Sequence, residues 1–410
     1  MSVLSCRFCQ TPLRHSFCDL GMSPLSNSYV PEDRLQAMEP FFPLHAYVCD
    51  QCFLVQLPAV EKPENIFSDY AYFSSYSESW LAHCEAYVEK MIARFELGSR
   101  HQVVELASND GYLLQYFKAR GVPVLGVEPA ANVAEAARAK GIETLVKFFG
   151  VATARELAGQ GIRADLLLGN NVLAHVPDIN DFVAGMKILL AEDGVITMEF
   201  PHLQRLMDEN QFDTIYHEHF SYLSMTVVVA IFARHGLTVF DVEELPTHGG
   251  SLRIYVRHQD DDHKPVTEAV SGLLQREESL GFRDIGHYTA FAEQVNATKR
   301  ALLDFLIKAK AEGKTVVGYG APAKGNTLLN YCGIRRDFLE FTVDRNPHKQ
   351  GTYLPGTRIP VYAPEKIFAV RPDYVLILPW NIKDEIVAQM ARIREWGGRF
   401  VVPIPRVQVI

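Results

Sequence analysis

Chemistry is concentrated in a short stretch near the middle of the chain. Tyr216, His217, Glu218 and His219 place a phenol, a carboxyl and two imidazoles in four consecutive positions. These are the donors, acceptors and near-neutral titration that general acid/base work requires. His175, in Val172-Leu173-Ala174-His175-Val176-Pro177-Asp178, adds another imidazole. The alternation of His217 and His219 is not the H-E-x-x-H spacing of helix-borne zinc ligands, so the segment reads as acid/base machinery or a structural histidine cluster before it reads as a metal site. Upstream, Phe67 to Ser77 mixes Tyr70, Tyr72 and Tyr76 with two phenylalanines and serines, the composition of a hydrophobic lid or of a site wall. Downstream, His248-Gly249-Gly250 precedes a strand, and its paired glycines either let backbone approach a ligand or make a hairpin turn.

A second constellation lies at the N-terminus. Cys6-Arg-Phe-Cys9 and Cys49-Asp-Gln-Cys52 are two C-x2-C pairs separated by residues 10–48. Each pair presents two thiolates to one ion, and four thiolates close a tetrahedral zinc site with no open position, so the expected zinc is structural. The Pro- and aromatic-rich stretch between the pairs would otherwise struggle to build a core. Cys18, Cys84 and Cys332 read as buried small hydrophobes.

The elements that must position these groups alternate between strand and helix from about residue 101. Val103-Val104-Glu105-Leu106 runs into Ala107-Ser108-Asn109-Asp110-Gly111, a helical stretch, and a second strand ending at Glu128. A strand, a Gly-containing turn, a helix and a strand-terminal acid are the parts of a doubly wound nucleotide site. The turn resembles motif I of class I S-adenosylmethionine-dependent methyltransferases, with Ala107 and Asn109 where glycines are usual. Ala164 to Asn171 reads as the fourth strand, ending in Asn170 and Asn171, and Val195 to Phe200 as the fifth. After a polar interval, Arg257 to Lys264, and a long helix, Gly318-Tyr319-Gly320-Ala321-Pro322-Ala323-Lys324 repeats the theme, with Asp344 as the acid. This fits the G-x-G-x-x-A form of the Rossmann fingerprint, or a Rossmann-like fold without a dinucleotide. Lys324 adds a positive charge for phosphate.

The 410 residues imply two or three domains at roughly 150 residues each. With 48% hydrophobic and 22% charged residues the chain can bury sizeable cores. A net charge of −9 argues against duplex nucleic acid or an anionic membrane as the main partner. The uncharged run Ser221 to Ala233 is too short to span a bilayer, and the N-terminus has no secretory apolar segment, so a cytoplasmic protein is expected. Seven cysteines, an odd count, fit a reducing compartment.

Taken in order, the two C-x2-C pairs, E-L-A-S-N-D-G, N-V-L-A-H-V-P-D, Y-H-E-H-F, H-G-G-S-L-R and G-Y-G-A-P-A-K resemble the zinc-containing, three-domain sugar C-methyltransferases of deoxysugar pathways. The resemblance implies an α/β chain: a zinc-binding module over 1–65, a class I methyltransferase domain over 66–256, and a Rossmann-like domain over 257–410 that binds the nucleotide-sugar. It implies S-adenosylmethionine and structural Zn2+ as cofactors, and methylation at C3 of a dTDP- or other nucleotide-linked 4-keto-deoxysugar by a monomer. Tyr70, His175, Tyr216, Glu218 and His219 match positions lining the catalytic pocket. Glu105, Ala107, Asn109, Gly111, Glu128, Asn170 and Asn171 fall to the cofactor, and Tyr72, His248, Gly249, Gly250, Tyr319, Gly320 and Lys324 to the substrate. Carbon methylation beside a ketone needs a base for the α-proton, for which His219 is expected, and donors to the enolate oxygen, for which Tyr216 and His175 are candidates. Glu218 orients His219 or contacts the sulfonium cofactor. The competing readings are an NAD-dependent nucleotide-sugar epimerase or dehydrogenase, an O- or N-methyltransferase, and a binding protein that docks through its zinc module.

Overall fold

Short runs of aliphatic residues, too brief for helices and bounded by Gly or polar turns, form the strands of this chain. The computed structural model describes residues 4–61, 74–76 and 78–410, so Tyr70 and Tyr72 lie outside the described residues. Packing separates the chain into two compact units. The first contains the chain up to Leu13, Cys49–His202 and Phe220–Arg283; the second contains Arg14–Val48, Leu203–His219 and Asp284–Ile410. In the second unit, β1 (His15–Ser23) and β2 (Phe42–Val48) pair antiparallel. In the first, β3 (Val55–Gln56) pairs antiparallel with a two-residue strand at Ser221–Tyr222.

The first unit is built on β4 (Val103–Leu106), β5 (Val124–Val127), β6 (Thr144–Leu145), β7 (Ala164–Asn170) and β8 (Leu190–Pro201), all parallel. With the short strand at 221–222 as β9, β10 (Leu237–Leu245) and β11 (Ser251–His258) form an antiparallel hairpin beside β8. The sheet order is β10-β11-β8-β7-β4-β5-β6, and the order reverses between β4 and β7, where open α/β sheets bind ligands at the carboxyl ends of the strands. Strand alternation sorts side chains to two cores. Val104, Leu106, Leu167 and Ile196 join one cluster, and Val103, Leu166, Leu168 and Val195 join the other, so the strands are apolar on both faces.

One strand boundary changes. The fifth strand, β8, begins at Leu190 rather than Val195, with Asp193-Gly194 as a bulge inside it; a Cβ at Gly194 would lie 2.6 Å from the Ala164 carbonyl oxygen, so only glycine permits the approach. The polar interval after Arg257 folds back on the end of β11. The Arg257 guanidinium donates to the carbonyls of Lys264 (2.7 Å), His258 (2.8 Å) and Gln259 (3.2 Å), and the first unit continues to Arg283.

The second unit carries β12 (Val316–Tyr319), β13 (Thr342–Val343), β14 (Val361–Tyr362), β15 (Tyr374–Ile377), β16 (Arg399–Val402) and β17 (Gln408–Val409), in the order β14-β13-β12-β15-β16-β17. All neighbours are parallel except β16 and β17. The long helix expected through Phe291 to Ala309 runs Phe291–Ala311, and Gly313 at φ 70 ends it. No helix among the described residues is long and apolar enough to cross a membrane.

One buried polar knot stabilises the first unit. Glu277 accepts the amides of Met225 (2.7 Å) and Thr226 (2.8 Å), capping the Met225–Arg234 helix, and also meets His202 Nε2 at 2.7 Å. Both side chains are buried, so removing one leaves the other's polar atoms unpaired. Glu277→Ala is expected to cost about 3 to 5 kcal/mol of the first unit's stability in urea unfolding.

Candidate functional site

The cysteine knuckles are near copies of one another. Cys6 N donates to Thr11 O (2.8 Å) and Gln10 N to Cys6 O (2.9 Å), while Cys49 N donates to Leu54 O (3.1 Å) and Phe53 N to Cys49 O (3.0 Å). Gln10 and Phe53, just past each second cysteine, both adopt left-handed φ (65 and 62). The four sulfurs lie within 4.8 Å of one another, with Cys6 to Cys52 at 3.5 Å and Cys9 to Cys49 at 3.4 Å. A tetrahedral ion with Zn–S near 2.3 Å requires S···S of about 3.8 Å, so the cluster fits zinc. Bonds from Cys49 and Cys52 pull the Cys6 thiol down, and the Cys49 and Cys6 sulfurs push Cys52 up; a dication removes this competition for protons. Gln56 Nε2 donates to Cys6 Sγ (3.2 Å), supporting the ligand from behind.

At the carboxyl end of β4, the loop Ala107–Gly111 holds a glycine-like backbone with two non-glycine residues. Ala107, Asn109 and Gly111 have φ of 56, 48 and 74. Asparagine tolerates the left-handed region and alanine is strained there, so both expected departures keep the shape that glycine would give. Glu128, buried at the end of β5, holds the loop: its carboxylate accepts the amides of Asn109 (2.9 Å) and Ala130 (2.8 Å), and burial pushes its pKa up. Gly126 is required beneath it, because a Cβ there would lie 2.3 Å from Ser108 Oγ. Asn109 Oδ1 accepts the Ser74 amide (3.0 Å), and Lys140 Nζ ties Ser75 Oγ (2.8 Å) to the Asp110 carbonyl (2.9 Å). Glu105 is completely buried below the loop, its pKa driven well up by burial and partly offset by Tyr112.

Buried polar atoms lacking hydrogen bonds gather here: Ser108 Oγ, Asp110 Oδ1, Asn170 Nδ2 and Asn171 Oδ1. Donors and acceptors left open at the carboxyl ends of β4 and β7 fit a polar ligand with hydroxyl and amine groups such as S-adenosylmethionine. His175 ends a short 3-10 turn directly after β7, and the Phe220 amide donates to Ala174 O (2.8 Å) beside it. Asn171 Nδ2 lies 3.0 Å from His248 Nε2, which accepts. Gly249-Gly250 lies in the turn between β10 and β11, with Gly250 N donating to Thr247 O (2.9 Å).

In the second unit, Tyr216, Glu218 and His219 share one short loop. His219 Nδ1 donates to Thr214 O (2.8 Å), which fixes the tautomer with the lone pair on Nε2. The Tyr216 ring lies 4.0 Å from the imidazole, centroid to centroid. Glu218 is buried, accepts from Asn27 Nδ2 (2.6 Å), and is pushed by burial up to about 7. His217 instead meets Pro43 O (3.1 Å) and the Phe42 ring, a structural role.

The helix after Gly318–Lys324 supports this loop, with Thr327 Oγ1 donating to Ile215 O (3.0 Å). Asp344 accepts the Ala321 amide (2.7 Å) and the Asn346 amide (2.8 Å), the same device as Glu128. The Ala321 carbonyl is taken by the Tyr29 hydroxyl and by Lys349 Nζ. Gly320, at φ 91, packs where a Cβ would lie 2.4 Å from Pro379 Cδ. Tyr319 is buried with its hydroxyl on Gln389 (3.2 Å). Lys324 Nζ donates to Asn381 Oδ1 (2.8 Å) over the Trp380 ring, and burial lowers its pKa.

Three family models match in order: a zinc binding domain over residues 6–67, a methyltransferase domain over 80–242, and a C-methyltransferase C-terminal domain over 246–405. The C-methyltransferase NovU of Streptomyces niveus is 38% identical over 405 residues, spanning 99% of this chain and 96% of that protein. The chain belongs to the C-methyltransferase family. Solved structures with likeness to part of it include the magnesium protoporphyrin IX methyltransferase of Synechocystis PCC 6803 with bound SAM (14% identity, 47% of this chain, 88% of that chain, TM-score 0.33). Another is the PH0226 protein of Pyrococcus horikoshii OT3 (15% identity, 48% of this chain, 99% of that chain, TM-score 0.38). The protein is therefore an S-adenosylmethionine-dependent C-methyltransferase with a zinc-binding N-terminal segment, which sets aside the epimerase or dehydrogenase reading.

Several polar partners in each unit escape a reading of motifs. Asn27, bonded to Glu218, lies far from it in sequence, and His83 and Glu199, which meet at 3.0 Å, come from separate elements. A strand-terminal acid was the available signal for Glu199, as it was for Glu128. Two outcomes follow from the geometry. Cys49→Ser should release the metal, measured as loss of about one zinc equivalent by atomic emission together with a lower melting temperature. Glu218 is raised from 4.5 to about 7 and Asp213 from 3.8 to about 6, both chiefly by burial. Stability from their protonated forms is full below the lower values and is lost as pH rises through the higher ones. The second unit should thus unfold more readily at pH 8 than at pH 5 in denaturant titrations, and Glu218→Gln should flatten that slope.

Proposed function

We propose that this C-methyltransferase methylates C3 of a dTDP-linked, or other nucleotide-linked, 4-keto-deoxysugar, with His219 as the base. The observation that carries this reading is the His219 tautomer. With Nδ1–H committed to Thr214 O at 2.8 Å, Nε2 is the basic nitrogen, and Tyr216 is packed against the ring. Bound S-adenosylmethionine supplies an electrophilic methyl group. A sugar carbon becomes nucleophilic when a base takes the proton next to a ketone, so His219 removes the α-proton and the bond pair passes into the enolate. Tyr216 and His175 donate to the enolate oxygen. Glu218, a buried acid near neutrality, holds a proton that can be passed to the imidazole or the sugar.

Glu105, Ala107, Asn109, Gly111, Glu128, Asn170 and Asn171 form the cofactor side, Glu105 acting from beneath the loop. Tyr70, Tyr72, His248, Gly249 and Gly250 belong to the sugar side. Tyr319, Gly320 and Lys324 belong to a nucleotide-binding C-terminal module in a three-module monomer, 1–65, 66–256 and 257–410. Lys324 supplies the cation for a diphosphate, and Gly320 lets backbone approach it. Incubation with a panel of nucleotide-linked keto-sugars and methyl donor, read by mass spectrometry, tests the acceptor class. His219→Asn is expected to lower methylation by about 10² to 10⁴-fold and to stop deuterium wash-in from D2O, with S-adenosylhomocysteine binding unchanged in calorimetry. Wild-type turnover by that variant would remove His219 from the reaction.

A further inference from the structure

The first unit holds an imidazole–carboxylate pair that none of these assignments uses. His83 lies in the opening turns of the Glu78–Phe95 helix, and its Nε2 is 3.0 Å from Glu199 Oε2. Glu199 sits near the carboxyl end of β8 in register with Asn170 of β7 and Arg253 of β11. Its carboxylate has no exposure, whereas the His83 side chain keeps 21%. Arg253 donates to Oε2 (2.7 Å) and the Thr247 hydroxyl to Oε1 (2.8 Å). Burial opposes ionisation of Glu199, but the His83 bond and the Arg253 charge outweigh it and hold the group at about 2. It is an anion at neutral pH.

His83 Nε2 has two competing partners, Glu199 Oε2 at 3.0 Å and Arg253 Nη2 at 3.1 Å. Were Arg253 the donor there, the Nε2 lone pair would face the fully buried carboxylate, and two acceptors would repel. With Nε2–H donated to Glu199, both carboxylate contacts are attractive, the Nε2–H is opposed by the Arg253 N–H, and the basic lone pair falls on Nδ1; the anionic acceptor at the shorter distance favours this second arrangement. Arg253 is the cation on Glu199 (2.7 Å) and also lies 3.5 Å from Glu243, which has Lys90 at 2.5 Å.

The surroundings are those of a ligand site. Trp80 stacks on His83 (5.0 Å, 21°), and its ring lies 5.4 Å from His248 and 6.1 Å from Tyr112. Tyr112 follows Gly111 of the cofactor loop, and His248 meets Asn171 at the end of β7. An aromatic wall with a few convergent polar groups at the carboxyl ends of the strands is the usual make-up of a small-molecule pocket.

We propose that His83, oriented by Glu199, is a second proton-transfer residue of this enzyme, whose Nδ1 binds an O–H of the methyl acceptor and takes its proton. The O–H bond pair stays on the oxygen, the proton goes to Nδ1, and Glu199 faces the imidazolium that results. The catalytic assay for this assignment rests on the keto-sugar reading; the spectroscopic one does not. Long-range nitrogen–proton NMR of the full chain should show His83 as the Nε2–H tautomer at neutral pH, and Glu199→Gln should unlock it. His83→Gln should slow methylation of whichever panel sugar the wild type accepts by about 10² to 10⁴-fold, with S-adenosylhomocysteine affinity within about threefold. Added imidazole should restore part of the rate to His83→Gly, which a structural role would not allow. An Nδ1–H tautomer, or a His83→Gln rate within about twofold of wild type, overturns the proposal. Should the wild type methylate no sugar in the panel, the acceptor class fails and the tautomer alone decides for or against His83.

Discussion

The carboxyl edge of the first unit's sheet depends on one buried carboxylate meeting two backbone amides. Glu128 takes the N–H of Asn109 and of Ala130, and charge-assisted bonds of this kind are roughly twice as strong as neutral ones. That strength matters because the loop it holds carries left-handed residues at Ala107 and Asn109, a conformation costing on the order of 1 to 2 kcal/mol at a non-glycine position. Without the acid the loop would relax, and the amides and open polar groups at the ends of β4 and β7 would lose their common orientation. The second unit repeats the arrangement with Asp344, Ala321 and Asn346. Two α/β sheets in one chain thus solve the same problem, a tight turn after the first strand, with an acid at the end of the second.

Buried acids of this chain shift in opposite directions according to what faces them. Glu199 and Glu277 have cationic or imidazole partners and are held low. Glu218 meets the neutral amide of Asn27, and burial drives it up; burial also drives Asp213 up, outweighing the Lys324 charge and the Trp380 indole bond. An acid near neutrality can both give and take a proton at working pH, whereas a permanently ionised one can only orient and stabilise.

Much of this was legible from residue order. The C-x2-C pairs, the Gly turns, the strand-terminal acids and the Phe291–Ala311 helix are local patterns, and local patterns survive into the fold. What was not legible came from convergence. His83, Glu199 and Arg253 lie on a helix and two strands separated by long stretches of chain, and Asn27 reaches Glu218 from the N-terminal segment. The bulge at Gly194 was also hidden, because Asp-Gly ordinarily signals a turn and the carbonyl that requires the glycine belongs to Ala164. The left-handed backbone at Ala107 is signalled only by its place in the motif, where glycine is usual, and not by alanine itself.

Ala107 sets a limit on how this enzyme can vary. A β-branched side chain at φ 56 crowds its own backbone, while glycine meets no such barrier and asparagine or aspartate tolerates it. In a library saturated at this codon and selected for function, survivors should cluster among a handful of small or amide-bearing residues, with valine, isoleucine and threonine missing, even though the site sits in a chain whose strands are rich in them.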